Sequence, residues 1–340
     1  MIINCVVCSK RAILLFCILI GVNMTSCIVT YDARTTQIEI MKPAIINIPD
    51  NIKAVALVNG ISKSKFNQPF TYNKLLYTPE TDTTISYRTL SNTCIDALAL
   101  ELKKDGYFSN VMNFRDSFNI VNPSNKMLFD PEKLFEETKS DLCIFLNDLN
   151  FDILEVRNFQ VSSNFASLSW TMVYKKDTLS YTYKQGDTLS FAATDFPADL
   201  SENMKIKIAA NNSSIFMGQS FCAKIIPTWI PVERMYYTTD NQDMRQAEKF
   251  ALNSDWLKAA EIWNKQTKSQ NLLTVAEATY NMALACEMEG KLDAAVDWLI
   301  RSSTILKKKN EIHKMNCQQY ISLLNQRKKE IEKLSHQVRN

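Results

Sequence analysis

Small and large side chains recur at a spacing of 36 residues in the carboxy-terminal third of the chain. The residues that share this spacing are Ala247, Phe250, Ala259 and Trp263, which return as Ala283, Cys286, Ala295 and Leu299. A period of this length is typical of a helix–turn–helix repeat, in which small residues let two helices touch and large residues interlock between them. Gly290 lies where the second pair of helices must bend. The spacing therefore predicts an all-α array of two repeats over residues 236–310, whose packing residues are Ala247, Phe250, Ala259, Trp263, Ala283, Gly290, Ala295 and Leu299.

The run from Ala276 to Val296, with its bend at Gly290, resembles a tetratricopeptide repeat. Repeats of this kind bind other proteins, and the resemblance implies that Tyr280 and Asn281 present their side chains to a bound peptide. An asparagine amide both donates and accepts hydrogen bonds, so it can clamp an extended peptide backbone. We therefore expect a protein partner of unknown identity at these two residues. The alternative is that both residues pack within the protein.

The last segment, residues 311–340, is predicted to form a helix that caps the array. Its apolar residues fall at helical spacing, and they are Ile312, Met315, Leu323, Leu324, Ile331 and Leu334. Two repeats are fewer than the roughly three that usually stand alone, so we expect the capping helix to cover one end of the array.

The amino terminus carries the pattern of an export signal. Lys10 and Arg11 precede an apolar run of 11 residues, Ala12 to Val22, which is short for a membrane-spanning helix of ~20 residues. The residues that follow, Met24-Thr-Ser-Cys27, resemble a bacterial lipobox, which implies cleavage after residue 26 and lipid attachment to Cys27. The alternative is an uncleaved amino-terminal anchor. Either reading predicts a protein of the cell envelope, tethered to a membrane and most simply to the outer membrane, with its face undetermined.

Composition excludes several classes of function. Once Lys10 and Arg11 are removed with the leader, the formal charge of +3 falls to near neutrality, which argues against nucleic acid as a partner. The six glycines cannot supply a Gly-rich phosphate loop, and the two histidines leave most zinc sites and histidine-based catalysis without their usual groups. We therefore expect no cofactor and no metal. The cysteines beyond Cys27 are expected to be buried thiols, and they are Cys94, Cys143, Cys222, Cys286 and Cys317. The alternative is that two of them form one disulfide, whose pairing the sequence does not determine.

Residues 27–42 are interpreted as a tether and a first strand, and residues 43–235 as a mixed sheet domain with packed helices, of the α+β or α/β class. Apolar runs bounded by turn residues predict buried strands, and a four-residue spacing of apolar residues predicts a helix over 84–105. The segment 66–82, with two prolines, is predicted to be a loop. Gln185-Gly-Asp187 is predicted to be a hairpin turn, 197–221 a helix, and 223–231 an edge strand. Gly106-Tyr-Phe108 and Ser140-Asp-Leu142 are similar to the amino-terminal domain of TolB-like envelope lipoproteins.

The sequence offers one carboxylate cluster, Asp148-Leu-Asn-Phe-Asp152. It fails the EF-hand pattern, because Ile153 stands where that loop needs glycine and Phe159 where it needs glutamate. As a carboxylate pair, Asp148 and Asp152 are the candidates for acid–base chemistry on envelope glycans. The competing interpretation is a solvated strand face.

Three segments together resemble a family of Bacteroidota lipoproteins that pair a domain of unknown function with a short tetratricopeptide tail. They are Ile225 to Tyr237, Asp255 to Trp263 and Tyr280 to Gly290. The resemblance implies a lipid-anchored envelope protein and assigns no catalytic residue. We therefore predict a non-enzymatic scaffold that binds a protein through its repeats. The alternative is a glycan-acting enzyme, or a glycan or small-ligand binder, that uses the sheet domain.

Overall fold

The described residues of the chain divide into two units. The computed structural model describes residues 33–74, 78–104, 106–115, 130–156, 161–176, 180–192, 195–239, 241–306 and 310–338. Residues 33–39 and 231–328 form the helical unit, and residues 40–230 and 329–338 form the sheet unit. The sheet domain predicted for residues 43–235 therefore ends earlier, and the helical unit includes part of the segment that was predicted as a tether. Cys27 and the predicted leader before it lie outside the described residues.

The secondary structure follows one order along the chain. The elements are β1 (Ala33–Lys42), β2 (Ala54–Asn59), α1 (Lys63–Phe66), β3 (Pro69–Lys74), β4 (Thr78–Ser86), α2 (Tyr87–Lys104), β5 (Asn110–Phe114), α3 (Pro131–Thr138), β6 (Leu142–Val156), β7 (Val161–Tyr174), β8 (Ser180–Ala192), α4 (Glu202–Ile225), β9 (Thr228–Tyr237), α5 (Gln242–Leu252), α6 (Trp256–Gln266), α7 (Leu272–Met288), α8 (Leu292–Ile305) and α9 (Glu311–Leu334).

The sheet unit is built on a five-stranded sheet with the order β5-β2-β6-β7-β8. Strand β2 is parallel to β5 and β6, whereas β6, β7 and β8 are antiparallel. The helices between the parallel strands are the connections that parallel pairing requires. The prediction of a mixed α/β sheet with packed helices is therefore confirmed.

Both faces of β2 are buried, which explains its uninterrupted apolar sequence. Val55 and Leu57 belong to the main apolar cluster, together with side chains of α2 and α4. Ala56 and Val58 belong to a smaller cluster on α3. A fully buried valine or leucine side chain contributes about 1.5–3 kcal/mol, so the helices on its two faces hold β2 in place.

Helices α2 and α4 approach each other closely at Gly218. A Cβ atom at this position would lie 2.2 Å from the backbone oxygen of Cys94 and 3.1 Å from the amide nitrogen of Leu98. Both neighbours are backbone atoms of α2, which cannot move aside without moving the helix. The absence of a side chain at Gly218 therefore sets the distance between these two helices.

Two predictions for the sheet unit are wrong. The segment 66–82 is not a loop, because β3 and β4 pair there as a separate two-stranded antiparallel sheet. A proline is tolerated at the first position of a strand and at an unpaired edge, which is where a two-stranded sheet can place Pro69 and Pro79. The turn predicted at residues 185–187 is instead the interior of β8. The space beside Gly186 is filled by the ring of Phe165, 3.1 Å from where a Cβ would lie.

Element boundaries also shift. Helix α2 begins at Tyr87, three residues after the predicted start, and α4 spans 202–225 where 197–221 was predicted. Because α4 continues to Ile225, the predicted strand 223–231 begins only at Thr228 and extends to Tyr237.

The helical unit contains the helices α5 to α8 as two consecutive helix pairs, with β1 and β9 paired as a two-stranded sheet. Asn241, Asp255 and Asn271 cap α5, α6 and α7, since each side chain accepts hydrogen bonds from backbone N–H groups of the first turn. Gly290 has a φ of +71° between α7 and α8, a conformation that favours glycine.

The predicted packing residues lie in two apolar clusters of the helical unit. Ala247, Ala259 and Trp263 are fully buried in one cluster, with Phe250 packed against it. Ala283, Ala295 and Leu299 are fully buried in the other cluster. Among the described helices, none is long and apolar enough to cross a membrane.

Candidate functional site

The helical unit holds the last residue of β9 with one asparagine side chain. The Asn281 amide nitrogen donates to the Tyr237 carbonyl oxygen at 2.7 Å, and the Tyr237 N–H donates to Asn281 Oδ1 at 2.8 Å. Asn281 lies on α7 and has no exposed surface. Both polar atoms of its side chain are therefore used to clamp an extended backbone.

A buried ion pair holds β9 three residues earlier. Arg234 Nε and Nη2 each donate to the Glu287 carboxylate of α7 at 2.8 Å, and Arg234 Nη1 donates to the Glu233 carbonyl oxygen at 3.0 Å. The Tyr320 hydroxyl of α9 donates to the same carboxylate at 2.5 Å. Burial and the adjacent carboxylate raise the pKa of Tyr320 well above its usual value, so it stays a neutral donor. The charges of Arg234 and Glu287 thus neutralise each other out of water.

His313 of α9 completes the contacts to β9. Its Nδ1 lies 3.1 Å from the Tyr237 hydroxyl and its Nε2 lies 2.9 Å from Ser302 Oγ. Ser302 donates its own proton to the Ala276 carbonyl oxygen at 2.7 Å, so the pattern assigns the ring proton to Nε2 and leaves Nδ1 to accept from Tyr237. Burial lowers the pKa of this histidine. A neutral imidazole therefore satisfies the network.

The face of α9 that faces the core differs from the predicted one. The residues buried against the rest of the helical unit are His313, Cys317, Tyr320 and Leu324. Of the residues predicted as the apolar face, Leu324 and Leu334 are buried, while Ile312, Met315, Leu323 and Ile331 are between 43% and 55% exposed. The prediction is wrong for these four residues, because the polar groups on the adjacent face find partners in β9, α7 and α8.

An open cleft of about 230 Å³ lies beside β9 in the helical unit. Its buried lining comes from Arg234, Tyr280 and Tyr320, and its other lining residues are Thr35, Glu233, Met235, Asn316, Gln319 and Leu323. Strands β1 and β9 form one side and α9 forms the other. This cleft is the candidate functional site.

The structure corrects the hypothesis that Tyr280 and Asn281 present their side chains to an external peptide. Both are buried, Tyr280 at 3% and Asn281 at 0% exposure. The extended backbone that Asn281 clamps is that of β9 from the same chain, which was the alternative considered. Tyr280 reaches only the lining of the cleft. No sequence pattern predicted the pair formed by Arg234 and Glu287, which are 53 residues apart.

Asp148 and Asp152 both lie on β6. Four residues along a strand span about 13 Å, beyond the ~5–9.5 Å between carboxyl groups that glycoside hydrolysis uses. Lys65 Nζ donates to Asp148 and to Asn150, at 2.6 Å each. Burial raises the pKa of Asp148, but the hydrogen bonds that it accepts from Lys65 and from the Asn150 amide lower the pKa overall, which is opposite to the shift that a general acid needs. The arrangement does not favour acid–base catalysis by this pair.

The sheet unit has a larger cleft of about 410 Å³, lined by Pro131, Glu132, Phe135, Glu136 and Lys175. Within the described part of the chain, no group of three or more acidic, cysteine or histidine residues is placed to hold a metal ion. The five described cysteines, Cys94, Cys143, Cys222, Cys286 and Cys317, are free thiols. Burial raises the pKa of Cys94, Cys143, Cys286 and Cys317.

Comparison with protein families assigns most of the sheet unit. A family model described as "Domain of unknown function (DUF8603)" matches residues 52–237, more than half of the 340-residue chain. The chain belongs to the DUF8603 family. In this DUF8603 protein, a second model described as "Domain of unknown function (DUF6340)" matches residues 245–326, from α5 into α9. A domain of unknown function followed by a distinct carboxy-terminal region is thus confirmed. No curated protein sequence matches the chain.

Solved structures resemble the DUF8603 protein only distantly. Protein XCC0632 from Xanthomonas campestris, of family DUF330, is 8% identical with a TM-score of 0.31, over 53% of this chain and 90% of that one. Lipoprotein GNA1162 from Neisseria meningitidis is 15% identical with a TM-score of 0.24, over 47% and 98%. The hypothetical protein CT253 from Chlamydia trachomatis is 9% identical with a TM-score of 0.25, over 50% and 98%. Scores this low carry no argument about function.

Proposed function

We propose that this DUF8603 protein is a lipid-anchored component of the cell envelope, without enzymatic activity, that binds a protein partner through its helical unit. The observation that carries the proposal is the way in which the helical unit binds β9. Side chains of α7 and α9 hold this extended segment by its backbone and by a buried ion pair, and an open cleft remains beside it. A surface that recognises extended chain is typical of peptide-binding proteins.

The absence of enzymatic activity is proposed from the state of the charged groups. Arg234 and Glu287 neutralise each other, and Asp148 is engaged by Lys65. General acid–base or nucleophilic catalysis needs groups that remain free to exchange a proton or attack a substrate. These pairings therefore favour a binding role for the surfaces that the two units present.

The envelope location is proposed from Cys27 and the leader before it. Two or more acyl chains on one cysteine would hold the protein stably on a membrane, whereas one chain gives only marginal binding. An outer-membrane position and a tetratricopeptide-like array are the finer forms of this proposal.

Mass spectrometry of the amino-terminal peptide tests the anchor. The protein purified from membranes should begin at Cys27 and carry acyl chains, and the Cys27→Ala variant should carry none. Cys286→Ala should be acylated like the wild type. An unmodified Cys27, or an amino terminus at another residue, would refute the anchor.

Site-specific photo-crosslinking in living cells tests partner binding. A photoreactive amino acid at Gln319, in the cleft, should give a discrete adduct with a second protein. The same group at Asn325, an exposed position elsewhere on α9, is the control and should not give that adduct. If no position on the helical unit produces an adduct with another protein, the proposed function is wrong.

A further inference from the structure

An apolar stripe on α9 runs into the cleft beside β9. Ile312, Met315 and Leu323 are 55%, 49% and 47% exposed, and Gln319 lies between them on the same side of the helix. Gln319 and Leu323 also line the cleft. The stripe and the cleft are therefore one continuous surface of the helical unit, larger than either feature alone.

The free charge of this surface is negative. Arg234 is the basic residue that lines the cleft, but Glu287 neutralises it and all three of its guanidinium nitrogens already donate hydrogen bonds. Glu233 is exposed, and among the described residues no hydrogen bond or ion pair engages its carboxylate. An anionic group of a ligand would thus meet an unpaired carboxylate and a guanidinium that is already occupied.

The size of the cleft selects for a single side chain. Its volume of about 230 Å³ is below the ~300–1,000 Å³ of typical small-molecule sites. The hydrocarbon stem of a lysine or arginine can lie along apolar surface while its charged end stays in polar surroundings. Met235 and Leu323 offer such a surface, and Glu233, Asn316 and Gln319 offer polar acceptors near it.

We propose that the cleft and the α9 stripe dock a segment of a partner protein that carries apolar side chains and one lysine or arginine, whose cation pairs with Glu233. The apolar side chains cover Ile312, Met315 and Leu323, and the basic side chain enters the cleft. This assignment rests on the proposed protein-binding function and specifies the chemistry of the partner segment.

Selection from a phage-displayed library of random 16-residue peptides tests the assignment, with the chain from residue 28 onward as the target. The enriched peptides should combine apolar residues with a lysine or arginine. In fluorescence anisotropy, Glu233→Gln should weaken binding of the enriched peptide by about 3- to 10-fold, as expected for a charged hydrogen bond that is partly exposed. The loss should vanish when norleucine replaces the basic residue of the peptide.

Two further variants separate the parts of the surface. Leu323→Ser should weaken binding at least about 3-fold, since it removes apolar area from both the stripe and the cleft. Asp297→Asn, an exposed acidic residue of α8 without a partner among the described residues, should change binding less than about 1.5-fold. Thermal unfolding of each variant should match the wild type.

The outcomes distinguish this assignment from the proposed function. If no peptide is enriched, both fail. If peptides bind but Glu233→Gln and Leu323→Ser leave their affinity unchanged, or if the enriched peptides are acidic, only the assignment fails. Vesicles of phosphatidylethanolamine and phosphatidylglycerol provide the remaining arm. If the protein binds these vesicles but no peptide, and Leu323→Ser abolishes the vesicle binding, the stripe is a lipid-facing surface and the assignment is overturned.

Discussion

Replacing Asn281 with alanine should destabilise the helical unit by about 2–6 kcal/mol. The substitution removes two hydrogen bonds of 2.7 and 2.8 Å and leaves the N–H and the C=O of Tyr237 without their partner. Tyr237 is 1% exposed, so water cannot replace the lost amide without opening the structure. Each unsatisfied buried polar group costs about 1–3 kcal/mol, which gives the range.

Urea denaturation, followed by the fluorescence of the tryptophans in α6 and α8, measures this loss. With a slope of about 1–2 kcal/mol per molar urea, the midpoint should fall by at least about 1 M. Hydrogen exchange gives a local readout, since the amide of Tyr237 should exchange at least about 30-fold faster when 2 kcal/mol is lost. Asn325→Ala, an exposed change of the same type on α9, should stay within about 0.5 kcal/mol of the wild type. A midpoint shift below about 0.5 M with unchanged exchange at Tyr237 would show that Asn281 does not hold β9.

Three further predictions concern buried contacts. Glu287→Gln should lower the free energy of unfolding in urea by about 3–5 kcal/mol because it leaves the Arg234 guanidinium buried without its counter-charge. The double variant with Arg234→Met and Glu287→Leu should recover most of this loss. A Glu287→Gln variant as stable as the wild type would contradict the pairing. Gly218→Ala should lower stability by about 1–3 kcal/mol or more, since its Cβ would lie 2.2 Å from a backbone oxygen of α2. Gln219→Ala at the adjacent position should stay within about 0.5 kcal/mol of the wild type. Equal melting temperatures for Gly218→Ala and the wild type would refute the close approach of the two helices. Because burial lowers the pKa of His313, the unfolded chain binds a proton more readily than the folded chain below pH ~6.5, so stability should fall as the pH drops through ~6.5 and level off below the folded pKa. Between pH 7.5 and 5, the melting temperature should decline less in His313→Asn than in the wild type. Identical declines would show that His313 does not cause the pH dependence.

The groups that face His313 support this sign. They are Tyr237, Cys317, Ser302 and Tyr280, and none of them carries a negative charge near neutral pH. Protonation of Nδ1 would replace its acceptor role with a donor role opposite the Tyr237 hydroxyl. Burial therefore opposes the imidazolium form, and it outweighs the hydrogen bond at Ser302, which favours that form.

Much of the local structure was predictable from the residues. The apolar run of β2 and the glycine at the bend between α7 and α8 both act within a few residues. The prediction of a turn at Gln185-Gly-Asp187 was wrong because it, too, used only the preference of nearby residues. Its turn propensity is local, but the ring of Phe165 on the neighbouring strand covers Gly186 and keeps β8 extended.

The candidate site was less predictable, because its parts come from distant positions. Asn281 was identified as a side chain able to clamp an extended backbone, and the structure supplies that backbone from β9, 44 residues earlier in the chain. The ion pair of Arg234 with Glu287 and the burial of His313 depend on the same docking of β9. Sequence spacing carries no information on such contacts until the packing partners are known.

The sequence by itself determined the two helix pairs, the mixed sheet and the short-range caps and bends, since hydrophobic period and backbone preference act locally. Only the tertiary structure decided which face of α9 is buried. Along that helix the face of Ile312, Met315 and Leu323 is the more apolar, yet the face of His313, Cys317 and Tyr320 lies inside. The physical reason is that burial of a polar face is favourable when every polar group finds a partner, and those partners come from β9, α7 and α8. The apolar face is left exposed beside an unpaired Glu233, and this makes it the surface on which a partner is proposed.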